Sequence, residues 1–461
     1  MTPLPPKPEA RPDRVGLLRY LRLFRADILS AQPARLYRAW MAEFRTPFFA
    51  SYMCNDPDLV DLVLKSRPGD FPKSDRVREG LAPLLGRSVF VTNGATWERQ
   101  RRIIDPAFEG GRLRDTFPAM WAASGAAAAR LQAQAGAEGV VEIEAEASHA
   151  AADIIFRTLF SIPIEHETAA AVFHEFRRYQ RTQPLLNLAA FLPLPRWLPR
   201  PHRRAVRASA ARIRALITAL TAARAAEIAA GTAPDDLATK IMTMADPVTG
   251  ARFGIDEMVD QVAIFFLAGH ETSASALGWA LYLLACDPAA QDRAAAEAAA
   301  FPQTPGFADL SRLAFTRNVF REALRLYAPV PMMVRETTRP ETFRDRAVAP
   351  GAQVVISSFH LGRHERIWDD PDRFDPDRWT RPETRPASRA GYLPFSAGPR
   401  VCPGAGFAMA EGVLMLAAIL ARVRLEPVPG AVPVPVAHLT VRARDGIRLR
   451  VIARDPPSPA R

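Results

Sequence analysis

Apolar residues at helical spacing dominate the chain up to about Tyr327. The spacing predicts helices over most of three ranges, which are residues 15–29, 112–240 and 256–286. The last of these is apolar on all sides, and Asp287-Pro288 ends it. Beyond Tyr327, prolines alternate with short β-like runs such as residues 353–356. The pattern therefore predicts a mainly α protein with a smaller β-rich part.

The C-terminal region carries a turn signal. Residues 441–444 and 447–450 alternate in polarity and flank Asp445-Gly446, a pair that is typical of a two-residue β-turn. We therefore predict a hairpin there, followed by a flexible tail over residues 455–461. Residues 1–14 are rich in proline and charge, and a second flexible tail is predicted for them.

Two segments leave alternatives open. The helix predicted over residues 15–29 is amphipathic and rich in arginine, which is compatible with a membrane-surface role as well as with packing against the body, the interpretation that we favour. Residues 191–201 are strongly apolar but contain four prolines within nine residues, which forbids a helix. That segment is either a loop folded over the core or a lid over a substrate entrance.

Composition and charge narrow the class of protein. Of the 461 residues, 48% are apolar and 24% are charged, the balance of a globular chain that can bury a large core. The net charge of +11 is spread without a dense basic run, so no nucleic-acid partner is predicted. Three scattered cysteines are too few for a disulfide framework. With no apolar signal segment and no run of about 18 apolar residues, a cytoplasmic protein without a transmembrane segment is expected.

The strongest chemical signal is a tight loop around one cysteine. Residues 395–404 read FSAGPRVCPG, so two glycines and two prolines surround Cys402. Backbone amides freed from regular structure, together with the N-terminus of the helix that follows, favour a negatively charged sulfur. The alternative, a buried cysteine acting as a small hydrophobe, does not account for such a loop.

A second signal lies in the middle of the apolar helix. Gly269 weakens the helix, and the Thr272 hydroxyl can divert a backbone carbonyl three or four residues earlier. Glu271 beside it needs a partner or a purpose, because the surrounding helix is buried. Together they predict a small groove, the alternative being a solvated break between packed segments. His270 has no second ligand at suitable spacing and is predicted to be structural.

Two weaker pairs complete the pattern. Glu322 and Arg325 place opposite charges on one helix face. Trp97 and Arg101 stand one helical turn apart and offer N–H donors suited to a carboxylate.

In their order along the chain, these motifs resemble those of the cytochrome P450 family. The cysteine loop matches the haem-binding signature of the family at Phe395, Gly398, Arg400, Cys402 and Gly404. The resemblance implies haem b with Cys402 as its axial thiolate ligand. It also implies that the haem propionates are held by Arg400, Trp97, Arg101 and Arg335.

The resemblance assigns the remaining motifs as well. It places Ala268 and Gly269 over the haem and makes Glu271 and Thr272 an acid–alcohol pair that delivers protons. Glu322 and Arg325 would form a structural lock with Arg378. The wall of the substrate pocket would include Phe265, Ala268, Met332, Met333 and Leu439.

The fold that this implies is a single haem domain over residues 15–454, with the long helix above the haem and the cysteine loop below. The implied function is a haem-thiolate monooxygenase that hydroxylates or epoxidises an apolar small molecule with O2. A fatty acid, a terpenoid and a steroid all remain possible as substrates. The alternatives are a haem protein without turnover, such as a gas sensor or carrier, and a peroxide-driven or isomerising relative.

The resemblance also bears on partners. A monomer is expected, with electrons from a separate ferredoxin and ferredoxin reductase. Arg99 and Arg102 lie off the stripe of Trp97 and Arg101, so they are expected to face solvent and to bind an acidic ferredoxin. Arg366 and Arg373 are expected to extend that basic face.

Overall fold

The computed structural model describes residues 4–45, 50–136, 139–182 and 202–454. Helices form most of it, as predicted, and short strands form the rest. The helices are α1 (Leu17–Ala26), α2 (Pro57–Asp61), α3 (Asp75–Leu85), α4 (Gly94–Ile104), α5 (Gly110–Ala133), α6 (Ile143–Phe160), α7 (Glu167–Thr182), α8 (Arg204–Ala230), α9 (Leu237–Thr243), α10 (Ile255–Cys286), α11 (Pro288–Ala299), α12 (Ala314–Leu326), α13 (Ser358–Gly362), α14 (Thr384–Gly391) and α15 (Ala405–Leu420).

Within the described ranges, the strands pair into four small sheets. They are β1 (Met41–Arg45), β2 (Ala50–Cys54), β3 (Val140–Glu142), β4 (Met333–Glu336), β5 (Glu341–Phe343), β6 (Arg346–Val348), β7 (Gln353–Ile356), β8 (Val423–Pro427), β9 (Pro435–Ala437), β10 (Val441–Ala443) and β11 (Arg448–Ala453). The largest sheet has the order β1-β2-β7-β4, and a second has the order β3-β11-β8. Strands β9 and β10 form a separate antiparallel pair, as do β5 and β6.

The long helix α10 runs through the centre of the protein and confirms the helix predicted over residues 256–286. Most of its side chains are buried, because α6, α8, α12 and α15 all pack against it. Gly269 permits the approach of α6, since a Cβ atom there would lie 2.5 Å from Cδ1 of Ile155. At its end, the Asp287 carboxylate accepts a bond of 3.0 Å from the Ala290 amide and so begins α11.

The C-terminal hairpin is a wrong prediction. Strand β10 pairs with β9, whereas β11 pairs with β8 and β3, so the turn at Asp445-Gly446 joins strands of two different sheets. The Ile447 amide, which a hairpin would direct towards β10, donates instead to the carboxylate of Glu142 at 3.2 Å. Five residue pairs join β11 to β8, so a partner that is distant along the chain outcompetes the local turn.

The N-terminal residues also differ from the predicted tail, because residues 6–11 contact the body. The Pro6 carbonyl accepts a bond of 2.9 Å from the Tyr327 hydroxyl, and Lys7 forms an ion pair with Asp372. Arg11 donates to the Ala31 carbonyl at 2.6 Å. The predicted C-terminal tail and the proline-rich segment 191–201 lie outside the described residues.

Helix α1 confirms an amphipathic helix within residues 15–29. Leu17, Tyr20, Leu21 and Phe24 on one face line a large cavity that also reaches the cysteine loop. Within the described ranges, no helix combines the length and the apolar character needed to cross a membrane.

A buried ion network joins α12 to the segment before the cysteine loop. The Glu322 carboxylate accepts from Arg325 at 2.8 and 3.0 Å and from Arg378 at 2.9 Å. All three side chains are buried, and Arg325 also donates to the carbonyls of Gly362, Pro371 and Arg373. The structure thus brings together the three residues for which a structural lock is predicted.

We expect Glu322→Gln to destabilise the protein strongly. The substitution keeps the shape of the side chain but leaves two buried arginines without a counter-charge, so the free energy of unfolding should fall by ~3–5 kcal/mol in urea denaturation. The matched control is Asp377→Asn, because Asp377 forms an exposed pair with Arg293 and its loss should cost less than ~1 kcal/mol. Equal effects of the two substitutions would contradict a structural role for the network.

Candidate active site

A cavity of about 980 Å³ lies between the middle of α10 and the cysteine loop. Most of its wall is apolar, and the five residues predicted for a substrate pocket all line it, namely Phe265, Ala268, Met332, Met333 and Leu439. So do all the predicted site residues of the two main motifs: Ala268, Gly269, Glu271, Thr272, Phe395, Arg400, Cys402 and Gly404. Two distant parts of the sequence therefore meet across one space.

The cysteine loop takes its shape from local backbone requirements. Gly398 has a φ of 67°, and a Cβ atom there would lie 1.9 Å from the Leu64 carbonyl oxygen, so only glycine fits. The Cys402 amide donates to the Phe395 carbonyl at 2.9 Å, which closes the loop, and α15 begins three residues later. The loop presents the sulfur to the cavity at the N-terminus of a helix.

The environment of Cys402 acts on its ionisation in two directions. Burial raises the pKa of the Cys402 thiol, whereas the Gly404 backbone amide and the nearby Arg101 and Lys73 lower it. A positively charged partner in the cavity would favour the thiolate further, because a coordinating metal deprotonates a thiol.

Four basic side chains meet at one side of the cavity, and we call them the cation cluster: Lys73, Arg101, Arg335 and Arg400. Arg400 donates to the Thr92 carbonyl and to Asn93 Oδ1, and its guanidinium lies 4.1 Å from the centre of the Trp97 ring. Arg101 donates to the Val401 carbonyl at 2.8 Å. Trp97 and Arg101 thus lie beside the cysteine loop.

The cation cluster carries more positive charge than its surroundings balance. Arg101 pairs with Asp105, but the described residues provide no carboxylate partner for Lys73, Arg335 or Arg400. Burial, followed by repulsion from the three arginines of the cluster, holds the pKa of Lys73 well below its usual value. Burial lowers the pKa of Arg335 to about 10 and, with the charge of Arg335, that of Arg400 to about 10. This side of the cavity suits a ligand with negative charge.

Sequence reasoning missed Lys73. Its ammonium group donates to the Phe90 carbonyl at 2.5 Å and lies 3.7 Å from the centre of the Phe90 ring. A weak signal was available, because Lys73 is one of only four lysines among 60 basic residues. The contact with the other cations depends on the fold, however, and no local pattern indicates it.

The polar residues in the middle of α10 point in different directions. The Thr272 hydroxyl donates to the Ala268 carbonyl at 2.5 Å, which is the diversion of a backbone carbonyl predicted for it. Glu271 accepts from Arg442 at 3.2 Å and from Thr440 at 3.4 Å, both outside the helix. Thr272 and Glu271 therefore border the cavity with different partners.

The next polar position on α10 contacts α15. Ser273 donates to the Glu411 carboxylate at 2.9 Å, and burial raises the pKa of Glu411 to about 8. Sequence reasoning did not single out this glutamate, which lies nine residues after Cys402 and also lines the cavity.

His270 has a structural environment. Its Nε2 atom lies 2.6 Å from the Ser148 hydroxyl on α6, and burial lowers the pKa of His270 to about 3, so the ring is neutral at physiological pH. Within the described ranges, no group of three or more potential ligands of the His, Cys, Asp and Glu types is placed to hold a metal ion. His270 thus joins α10 to α6, which is a structural role of the kind predicted for it.

The predicted solvent-facing pair on α4 is wrong. Arg99 forms an ion pair with Glu257, and Arg102 donates twice to the buried Asp246, at 2.6 and 3.0 Å. The hydrogen bond from Arg102 holds the pKa of Asp246 well below its usual value. This face of α4 packs against the start of α10 and the loop before it, so both arginines are engaged within the protein.

Comparison with known proteins identifies the family. The family model described as Cytochrome P450 matches residues 44–450. The chain belongs to the cytochrome P450 family. It is 32% identical to cyclooctatin synthase of Streptomyces melanosporofaciens over 82% of this chain and 81% of that protein. It is 33% identical to cyclooctat-9-en-7-ol 5-monooxygenase of the same organism over 85% of this chain and 83% of that one.

Further comparisons agree with the fold and the class of enzyme. Human cytochrome P450 4A11 is 29% identical over 86% of this chain and 78% of its own length. The crystal structure of the cytochrome P450DA heme domain is similar with a TM-score of 0.81, 25% identity and coverage of 98% of each chain. The predicted fold class is confirmed, and the chain is an enzyme of the P450 monooxygenase class.

The family implies a haem-thiolate cofactor, and the donor set of the cavity fits one. A haem carries two carboxylates and an iron, and the cavity offers uncompensated cations on one side and a thiol in a tight loop. The cations lie close enough to the sulfur to affect its pKa, so one molecule can reach both. The apolar remainder of the wall suits a porphyrin ring.

We expect Lys73→Met to weaken haem retention. The substitution keeps an apolar stem but removes the charge that would donate a hydrogen bond to a haem propionate, so transfer of haem to an apoglobin acceptor should be about tenfold faster. Lys65→Met is the matched control, because Lys65 is half exposed and pairs with Asp61. Haem transfer that is equally fast in the two variants would contradict a role for Lys73.

Proposed function

We propose that this protein is a haem-thiolate monooxygenase in which Cys402 is the axial ligand of haem b. It inserts one oxygen atom from O2 into an apolar small molecule, by hydroxylation or epoxidation. The observation that carries the proposal is that Cys402, the cation cluster and Thr272 all face the same cavity. No other arrangement among the described residues combines a thiol, uncompensated cations and polar side chains in the middle of a buried helix.

The residues divide the task of holding the cofactor. Trp97, Arg101, Arg335 and Arg400, with Lys73 added from the structure, would bind the propionates, and Cys402 would bind the iron. Phe395 and Gly404 shape the loop around the sulfur. When bound, the haem supplies the iron at which O2 is activated, with electron density from the thiolate favouring O–O cleavage.

Proton transfer would take place at the wall of the cavity formed by α10, across from the cysteine loop. The Thr272 hydroxyl holds the Ala268 carbonyl at 2.5 Å, so this turn of α10 has a polar group directed at the cavity beside Gly269. Glu271 provides an ionisable group one residue away. Transfer of a proton by a positioned side chain typically contributes about 100- to 10,000-fold to a rate.

The substrate is proposed to be a terpenoid. The wall formed by Phe265, Ala268, Met332, Met333 and Leu439 has no fixed charge, so the bound part of the substrate is apolar. One relative, 32% identical, is named cyclooctatin synthase, and another, 33% identical, is named cyclooctat-9-en-7-ol 5-monooxygenase. Fatty acids and steroids are the competing classes, and a haem spin-state shift measured across all three classes distinguishes them.

The protein is proposed to be a cytoplasmic monomer. It is proposed to receive electrons from a separate ferredoxin, which a ferredoxin reductase reduces. Since Arg99 and Arg102 are engaged internally, the docking face needs other cations. Arg112 at the start of α5 is exposed and has no ion-pair partner among the described residues. Its neighbour Leu113 approaches Gly406, four residues after Cys402. Arg366 and Arg373 are exposed too and remain candidates for the same face.

We expect Cys402→Ser to abolish the spectrum of thiolate-bound haem. The reduced carbon monoxide complex should show a red-shifted Soret band in the wild type, because Cys402 would supply a thiolate ligand to the iron. Cys286→Ser is the control, since Cys286 lies at the end of α10 away from the cavity lining, and it should retain the band. A normal band in Cys402→Ser would refute the assignment of the ligand.

We expect Arg112→Glu to slow reduction by an acidic ferredoxin at low ionic strength. Exposed charges mainly accelerate association, and salt screens them over ~8 Å near physiological strength, so the difference from wild type should shrink as salt is added. Stopped-flow reduction under carbon monoxide measures the rate. Arg448→Glu on β11 is the control with the same charge change at an exposed site. If both variants behave like wild type at low salt, the partner does not dock at Arg112.

A further inference from the structure

We infer that Arg442 on β10 is a positioning residue for Glu271: it holds the carboxylate against the C-terminal strands, at the point where the buried site meets solvent. The inference rests on the proposed function of Glu271 in proton handling. It adds to that function a specific route, which enters beside β10.

The contacts of Glu271 are directed to the C-terminal strands. Its Oε1 atom accepts from Nη2 of Arg442 at 3.2 Å, and its Oε2 atom accepts from the Thr440 hydroxyl at 3.4 Å. Both partners belong to the segment that enters and forms β10. The orientation of the carboxylate therefore depends on residues that lie 169 and 171 positions later in the chain.

Arg442 connects two environments. Its side chain is 41% exposed, whereas the side chain of Glu271 is 5% exposed, and both border the cavity. A guanidinium does not release its protons at ordinary pH, so Arg442 does not itself carry a proton inward. Instead it brings the carboxylate to a place where water that solvates the exposed guanidinium can exchange protons with it.

The other groups around Glu271 do not replace this contact. His270 is neutral, and Tyr179 on α7 is a neutral phenol because burial raises its pKa. Arg177 on α7 acts on His270, whose pKa it lowers. Gln180 on the same helix and Thr440 supply only neutral hydrogen-bonding groups. The cation that offsets the burial of Glu271 is Arg442.

The sign of the electrostatic effect follows from these groups. Burial raises the pKa of Glu271, and the charge of Arg442 is the largest influence in the opposite direction. Without Arg442 the pKa rises further, and the acid stays protonated to higher pH. Because an acid whose pKa is raised on folding destabilises the native state as the pH increases, Arg442→Gln should lose more stability than wild type between acidic and mildly alkaline pH.

Two measurements on the haem-loaded protein test the inference. The first is the pH dependence of thermal unfolding, which does not depend on turnover. The second is the pH dependence of coupling, measured as product formed per NAD(P)H consumed. In Arg442→Gln, the pH at which coupling declines should move upward by about one unit, the effect of losing one nearby opposite charge. Arg442→Lys should restore the wild-type profile in large part.

The controls separate a positioning role from general damage. Arg444→Gln makes the same change at an exposed arginine just beyond β10 and should leave both profiles unchanged. The charge of Arg442 also lowers the pKa values of Glu144, His270 and His438, so the double variant is judged on coupling alone. If Arg442 acts on coupling through Glu271, then Arg442→Gln added to Glu271→Gln should have no further effect on the coupling profile. Additive effects on coupling in that double variant would overturn the inference.

The remaining outcomes are distinguishable from failure of the proposed function. Wild-type profiles in Arg442→Gln, together with altered profiles in Glu271→Gln, would overturn the role of Arg442 and leave that of Glu271 intact. Wild-type profiles in both variants would overturn both roles. A loss of the thiolate-haem spectrum in Cys402→Ser is independent of either result.

Discussion

Uncompensated positive charge beside an apolar cavity is the constraint on which this structure depends. Buried cations are costly unless they are paired, yet the described residues provide no carboxylate for Lys73, Arg335 or Arg400. Each member of the cation cluster comes from a different part of the chain: the segment before α3, helix α4, strand β4 and the cysteine loop. A dianionic cofactor that satisfies them also fastens these four segments together, so binding of the cofactor and stability of the fold are coupled.

The same demand for partners explains the middle of α10. Successive residues of a helix project about 100° apart, so four consecutive polar side chains cannot share one environment. His270 contacts α6, Glu271 contacts β10, Thr272 bonds its own helix, and Ser273 contacts α15. Three of these four side chains thus contact separate elements, which holds the middle of α10 in place.

The sequence predicted those features that depend on neighbouring residues. The bounds of α10 follow from a continuous apolar pattern, and the loop around Cys402 follows from glycines and prolines within ten residues. Features set by distant contacts were missed or wrong. Lys73 joins the cation cluster only because β4 lies beside it in the fold. Arg99 and Arg102 bind acidic partners that lie 158 and 144 positions away along the chain. The predicted C-terminal hairpin was wrong for the same reason, since β11 pairs with β8 and β3 instead of with β10.

The arginine-rich composition has a structural consequence that net charge conceals. All but four of the 60 basic residues are arginines, and several of them are buried in networks rather than displayed on the surface. Arg325 shows why arginine suits that position: its planar guanidinium satisfies Glu322 and three backbone carbonyls at once, a geometry that the compact ammonium of lysine does not provide. A net charge of +11 therefore overstates the positive charge available to a partner. A docking partner would therefore meet exposed arginines that have no ion-pair partner within the described part of the chain, and Arg112 is one of them.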